Sequence, residues 1–138
     1  MSNIPPDIYE HVLDLALAMT NATMADDTAL HDSCYQSLLA YHADLTLLGR
    51  SHPFVTETLA DYTDDLATSV RFYALALEQA RAYPDEPTHT KMISLAGRLI
   101  ELGQLERAEA YVRDGRAEAV RCEDTHFIEE ADRLLDEL

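Results

Sequence analysis

Apolar residues recur at steps of three and four along the chain, with no strand-like alternation. Ile8, Val12, Leu15 and Met19 face away from Asp7, Glu10, Asp14 and Asn21, which predicts a helix over residues 7–24. Pro5 and Pro6 suit its entry, and Asp7 and Glu10 lie near the positive end of its dipole. The polar run 21–27 ends that pattern. A second stripe of Leu30, Cys34, Leu38, Tyr41, Leu45 and Leu48 predicts a helix over 28–48, capped by Asp27 and stopped at Gly49. Two long helices joined by a short polar turn should pack antiparallel.

Ser51-His52-Pro53 opens a third stretch, in which Val55, Leu59, Tyr62, Leu66, Val70, Tyr73, Leu77 and Ala80 keep helical spacing. Residues 54–82 read either as one long helix, which the periodicity favours, or as two parted near residues 64–69, where cap-forming residues cluster. Tyr83-Pro84-Asp85-Glu86-Pro87 is a linker. Thr88 is placed to cap a helix through Met92, Leu95, Ala96, Leu99 and Leu102 that ends at Gly103. Leu105, Ala108, Val112 and Ala119 stripe the next, and Thr125 is placed to cap a last helix, FIEEADRLLDEL.

A chain of 138 residues and 15.5 kDa fits one domain, here residues 1–138. With 47% apolar residues it can fill a core, and with only 4 Gly and 5 Pro it lacks the turns of a β-sandwich or barrel. The fold class expected is all-α, with six or seven helices as hairpins over about 7–48, 52–82 and 88–121 and a capping helix over 125–138. No apolar run approaches the ~20 residues of a membrane span. The N-terminus carries no Lys or Arg ahead of its apolar run, unlike a secretory signal. Cys34 and Cys122 form no disulfide framework and read as small buried hydrophobes in a cytoplasmic protein.

Ser51-His52, Thr88-His89 and Thr125-His126 recur every 37 residues at predicted helix starts, while Pro53 and Pro87 are 34 apart. The segment SLAGRLIELGQLERAEAYVRDGRAEA, residues 94–119, resembles a tetratricopeptide repeat. Leu95-Ala96 matches its Leu-Gly pair, Leu99 the next aromatic position, Gly103 the turn glycine and Leu105 the following aromatic. Ala108 and Gly115 take small positions where helices cross, and Val112 replaces an aromatic. HPFVTETL, residues 52–59, resembles helix openings of kinesin-light-chain-type repeats. In the second repeat the turn glycine aligns with Val70, and the first 50 residues match nothing in the motif. The resemblance implies stacked hairpins in a short right-handed solenoid that binds proteins, with groove positions at Thr90, Ile93, Gly97, Ile100 and Glu101.

Charge sharpens this picture. Against 26 acidic side chains stand 10 basic ones, for a net charge of -16, so nothing would neutralise nucleic-acid phosphates. Residues 1–70 hold Arg50 alone against Asp7, Glu10, Asp14, Asp26, Asp27, Asp32, Asp44, Glu57, Asp61, Asp64 and Asp65. Such a surplus weakens the compact state by self-repulsion and suits a cationic partner. The partner-binding residues expected are Asp26, Asp27, Asp32, Glu57, Asp61, Tyr62, Asp64 and Asp65, with Tyr62 as the aromatic anchor.

Other chemistry is thinner. Glu86-Pro-Thr-His89 and Glu123-Asp-Thr-His126 share the Glu-x-x-His spacing of di-iron bundles, but they fall at predicted helix starts, one against Pro87. His31-x-x-Cys34 lacks a second ligand pair, and Cys34 reads as core with His31 at the surface. His52 reads as decorating a turn. No nucleophile elbow or glycine-rich phosphate loop is present. The expected function is non-enzymatic: an acidic surface engaging a basic protein, in the manner of an inhibitor or immunity protein masking a cationic toxin. A secretion chaperone or scaffold adaptor fits the same features, and a metal-dependent helical enzyme using the Glu-x-x-His pairs is the alternative of another class. A monomer or weak homodimer with no cofactor, metal, nucleic acid or membrane partner is expected.

Overall fold

The chain folds entirely into helices over the residues described, 4–138, in a computed structural model. In chain order they are α1 (Pro6–Met24), α2 (Thr28–Leu47), α3 (Pro53–Asp61), α4 (Leu66–Ala80), α5 (His89–Glu101), α6 (Leu105–Arg121) and α7 (Thr125–Asp136). Each packs on its sequence neighbours, and α1 also meets α3 while α5 meets α7. Among the described residues no helix is long and apolar enough to cross a membrane.

The break between α3 and α4 falls at residues 62–65, so the alternative of two helices holds there. Asp65 accepts from the Thr68 backbone N–H at 2.9 Å and the Thr68 hydroxyl at 2.6 Å, capping α4. The Ser69 hydroxyl donates to the Ala60 carbonyl at 2.9 Å, tying the two helices together. Val70, aligned with a turn glycine in the sequence, is instead a core residue of α4.

Four helix exits share one device. The residue after the turn's last helical contact is left-handed: Asp26 (φ 54), Gly49 (φ 68), Gly103 (φ 77) and Glu123 (φ 56). The next N–H then reaches five residues back, as in Asp27 to the Ala22 carbonyl at 2.8 Å and Asp124 to the Ala119 carbonyl at 2.9 Å. Three of the caps are aspartates placed at once: Asp27 accepts from Leu30 N–H at 3.0 Å, and Asp124 from Phe127 N–H at 3.3 Å, beside the Asp65 cap of α4. Thus Asp124, and not Thr125, caps α7. Thr88 occupies the cap position of α5 but makes no side-chain cap bond. His52 is buried rather than decorating a turn: its Nδ1 accepts from Phe54 N–H at 3.0 Å.

Two apolar cores result. One joins Ile8, Val12, Met19, Leu38, Leu45, Val55 and Leu59 from α1, α2 and α3. The other is built on Val70, Tyr73, Ile93, Leu95, Leu99, Val112 and Leu134. The partly buried Phe72 packs against both. On α2 only Leu38 and Leu45 are buried, while the predicted stripe members Leu30 and Leu48 are exposed. Cys34 is half-buried and Cys122 exposed, so the reading of Cys122 as a buried hydrophobe does not hold.

The α5–α6 crossing is close at Gly115, where an added Cβ would lie 2.7 Å from Ile93 Cγ1. That contact buries Ile93 and removes it from the groove positions implied by the resemblance. Thr90 donates to Glu57 Oε2 at 2.8 Å. Gly97, Ile100 and Glu101 do line an open pocket of about 320 Å³, shared with Arg98, Arg133 and Tyr73.

Candidate functional site

The turn after α1 and the turn after α3 lie side by side, and this brings most of the predicted aspartates together. Asp26, Asp27, Asp32 and Asp64 line one depression of about 250 Å³ with His31. Asp32, Asp64 and Asp65 line the adjoining one with Tyr35 and Tyr62. Two tyrosines hold the turns in register. The Thr63 hydroxyl donates to the Leu59 carbonyl at 2.7 Å, so in its 2.7 Å contact with Tyr35 it is the phenol that donates. The Tyr62 hydroxyl donates to the Ala16 carbonyl of α1 at 3.2 Å and accepts from Thr20 at 3.0 Å. Tyr62 is therefore half-buried and engaged with α1, where an exposed anchor was expected.

The aspartates differ in employment. Asp65 and Asp27 are caps, and the Thr68 hydroxyl holds the Asp65 carboxyl below its ordinary range. Asp26 occupies the left-handed position of its turn. Asp32 has His31 Nδ1 at 3.9 Å. Among the described residues none of Asp26, Asp27, Asp32, Asp64 or Asp65 forms an ion pair with Lys or Arg.

Cations elsewhere are already occupied. Arg50 grips Asp7 with two bonds of 3.0 Å, which lowers the Asp7 carboxyl. Arg81, Arg98, Arg113, Arg116, Arg121 and Arg133 pair with Glu78, Glu101, Glu109, Asp132, Glu118 and Glu130 respectively. Arg107 bonds Gln104, whereas Arg71 stands beside the site itself: it bonds the Thr68 hydroxyl, and its charge helps to lower the Asp65 carboxyl. The trailing half thus spends most of its arginines on its own carboxylates.

Glu57 and Asp61 do not join the acidic depressions. They belong to a polar network between α3, α4 and α5 whose centre is Lys91, a residue outside the expected site. Lys91 is 0% exposed, and its Nζ reaches Glu57 Oε1 at 2.9 Å, Glu86 Oε1 at 3.2 Å and the Pro87 carbonyl at 2.7 Å. Its three donors therefore meet three acceptors. The signal lay in position: the chain's single lysine stands four residues before Leu95, on the buried stripe of α5. Asp61 accepts a bond from the Tyr73 hydroxyl. The residue keeps an exposed surface, yet α4 and α5 crowd its carboxyl, and desolvation pushes it up to about 6 against the Tyr73 bond, with Glu57 adding to the rise. Burial and the Asp61 charge push the Tyr73 phenol upward in turn.

His42 and His89 are bonded within the fold. Thr56 donates to Gln79 Oε1 at 2.6 Å, so His42 Nε2 must be the donor in its 3.0 Å contact with Thr56. Burial lowers the affinity of His42 for a second proton. His89 Nε2 meets Asp124 Oδ2 at 2.8 Å, while Glu86 is committed to Lys91. Among the described residues no group of three or more His, Cys, Asp or Glu is arranged to hold a metal ion. No protein-family model, curated protein or solved structure matches the chain.

Proposed function

We propose that this chain is a non-enzymatic binding module of stacked, tetratricopeptide-like hairpins whose acidic end engages a basic protein. One observation carries the reading. Among the described residues five aspartates converge around two adjacent turns with no Lys or Arg in ion-pair contact, Arg71 alone acting on Asp65 from beyond that range, although the same chain pairs nearly all its other cations elsewhere. Like charges gathered this way repel one another, and a cationic surface relieves that repulsion while steering encounter. Masking of a cationic toxin by an inhibitor or immunity protein is the form of this function that a small acidic helical protein fits best.

The test is capture of partners at about 0.1 M and about 1 M salt, between which the screening length falls from about 10 Å to about 3 Å. The captured partner is expected to be basic and to be lost at high salt. Asp32→Lys with Asp64→Lys, neither of which caps a helix, is expected to slow association about tenfold with the helical fold intact. A tightest partner that is neutral or acidic, or binding that ignores salt, refutes the proposal.

A further inference from the structure

The outer face of α1 carries a row of exposed apolar side chains, interrupted by Thr20. Tyr9 is 41% exposed, Leu13 47%, Leu17 58% and Met24 81%. At 100° per residue these four fall within about 80° of the helix circumference, and they run for ~22 Å along it. Other exposed leucines, such as Leu47, Leu102 and Leu105, stand at helix ends and form no such row. Isolated apolar residues on a surface are ordinary, whereas a row along one helix face marks an interaction surface.

The borders of the row state what would sit on it. Along one edge α3 supports it: Tyr9 stacks on Phe54 with ring centroids 5.6 Å apart, and Tyr62 bonds Ala16 and Thr20. Along the other edge run Glu10 and Asp14, neither paired with a cation among the described residues. A depression of about 270 Å³ lined by Ile4, Pro6, Tyr9 and Glu10 opens at the start of the row, and the aspartates of the α1–α2 turn stand at its end. A second copy would set acids against acids in a chain of net charge -16, and an anionic membrane or nucleic acid would be repelled likewise.

We propose that the exposed face of α1 seats a basic amphipathic helix of a partner protein, its apolar side on Tyr9, Leu13, Leu17 and Met24 and its cations against Glu10, Asp14 and the aspartates beyond. This rests on the acidic-surface reading and specifies the partner's chemistry. Tyr9, Leu13 and Leu17 on successive turns, with Met24 two turns further on, suit the helix-in-groove mode, in which apolar anchors along one face give affinity and flanking charge gives orientation.

The full chain is titrated with three synthetic probes of equal charge, two of about 18 residues, or ~27 Å as a helix, and one shorter. One is a Leu/Lys peptide with leucines at helical spacing, one has the same composition scrambled, and one is oligolysine. The patterned peptide is expected to bind about tenfold more tightly than the scrambled one, a difference of about 1.4 kcal/mol. Leu13→Ser with Leu17→Ser, on exposed positions, should erase that preference and leave oligolysine binding unchanged, with circular dichroism confirming the fold. Equal binding of patterned and scrambled peptides, or a preference that survives the double substitution, overturns the inference. Persistent oligolysine binding in that case leaves the acidic-surface reading standing, whereas failure of every basic peptide at low salt removes both. A concentration-dependent dimer dissolved by the double substitution also overturns it, in favour of a second copy on α1.

Discussion

Replacing Lys91 by Met tests how the α3–α5 contact is held. Met keeps the length and apolar stem of the side chain but has no donor. The Glu57 and Glu86 carboxylates and the Pro87 carbonyl then lose their shared partner. Removing one member of a buried ion pair costs about 3–5 kcal/mol, because the charge left behind is neither hydrated nor paired. Here the Glu57 and Glu86 side chains retain 17% and 11% exposure, and Glu57 keeps its Thr90 bond, so the low end, about 3 kcal/mol, applies. In a chain of this size that lowers the melting temperature by about 10 °C. The same reasoning makes the fully apolar or neutral alternative tolerable: Lys91→Met combined with Glu57→Gln and Glu86→Gln should return to within about 1 kcal/mol of the parent. Urea unfolding followed by far-ultraviolet circular dichroism, analysed by linear extrapolation with an unchanged m-value, measures both. A single substitution costing less than about 1 kcal/mol, or a triple variant no more stable than the single one, would refute the account of Lys91 as a cation whose worth lies in the two carboxylates it neutralises.

The remaining predictions concern packing and titration. Gly115→Ala should destabilise the fold by about 1–3 kcal/mol, since its Cβ meets Ile93 and Met92 at the α5–α6 crossing. Gly97→Ala, with open space around the new Cβ, should stabilise by about 0.5–1 kcal/mol, and thermal melts compare the two directly. The Asp61 carboxyl should titrate near 6 by carbon NMR. Because that value lies above the unfolded one, its stabilising contribution is complete below about pH 4 and is lost as pH rises through about 6. Asp61→Asn keeps an oxygen for the Tyr73 hydroxyl, so it should stabilise by about 1 kcal/mol at pH 7.5, a figure reduced for the exposed surface of Asp61, and by nothing near pH 4.

Helical periodicity carried most of the fold. The bounds of α1 and α2, the Asp27 cap and the exits at Gly49 and Gly103 follow from residues whose local chemistry admits few alternatives. The α3–α4 break escaped periodicity because Tyr62 and Leu66 keep helical spacing across it; the deciding group was the Asp65 carboxylate, which competes for the Thr68 N–H. Thr125 has a side chain suited to a cap, but the backbone at Glu123 is left-handed. Once Glu123 turns the chain, Asp124 reaches the Phe127 N–H first. At the candidate site, the adjacency of the two aspartate-bearing turns follows from hairpin packing. What one sequence does not reveal is which carboxylates a buried cation claims: Lys91 draws in Glu57 from a different helix and Glu86 from a linker.

The sharing of Phe72 between the two cores leaves the molecule with a seam. On its N-terminal side, α2 buries little and the carboxylates go largely uncompensated, so the first hairpin is expected to exchange its amide protons before α5, α6 and α7 do. A ligand seated on that hairpin would register as slowed exchange there, and so as a local clamp on the half of the molecule that opens first.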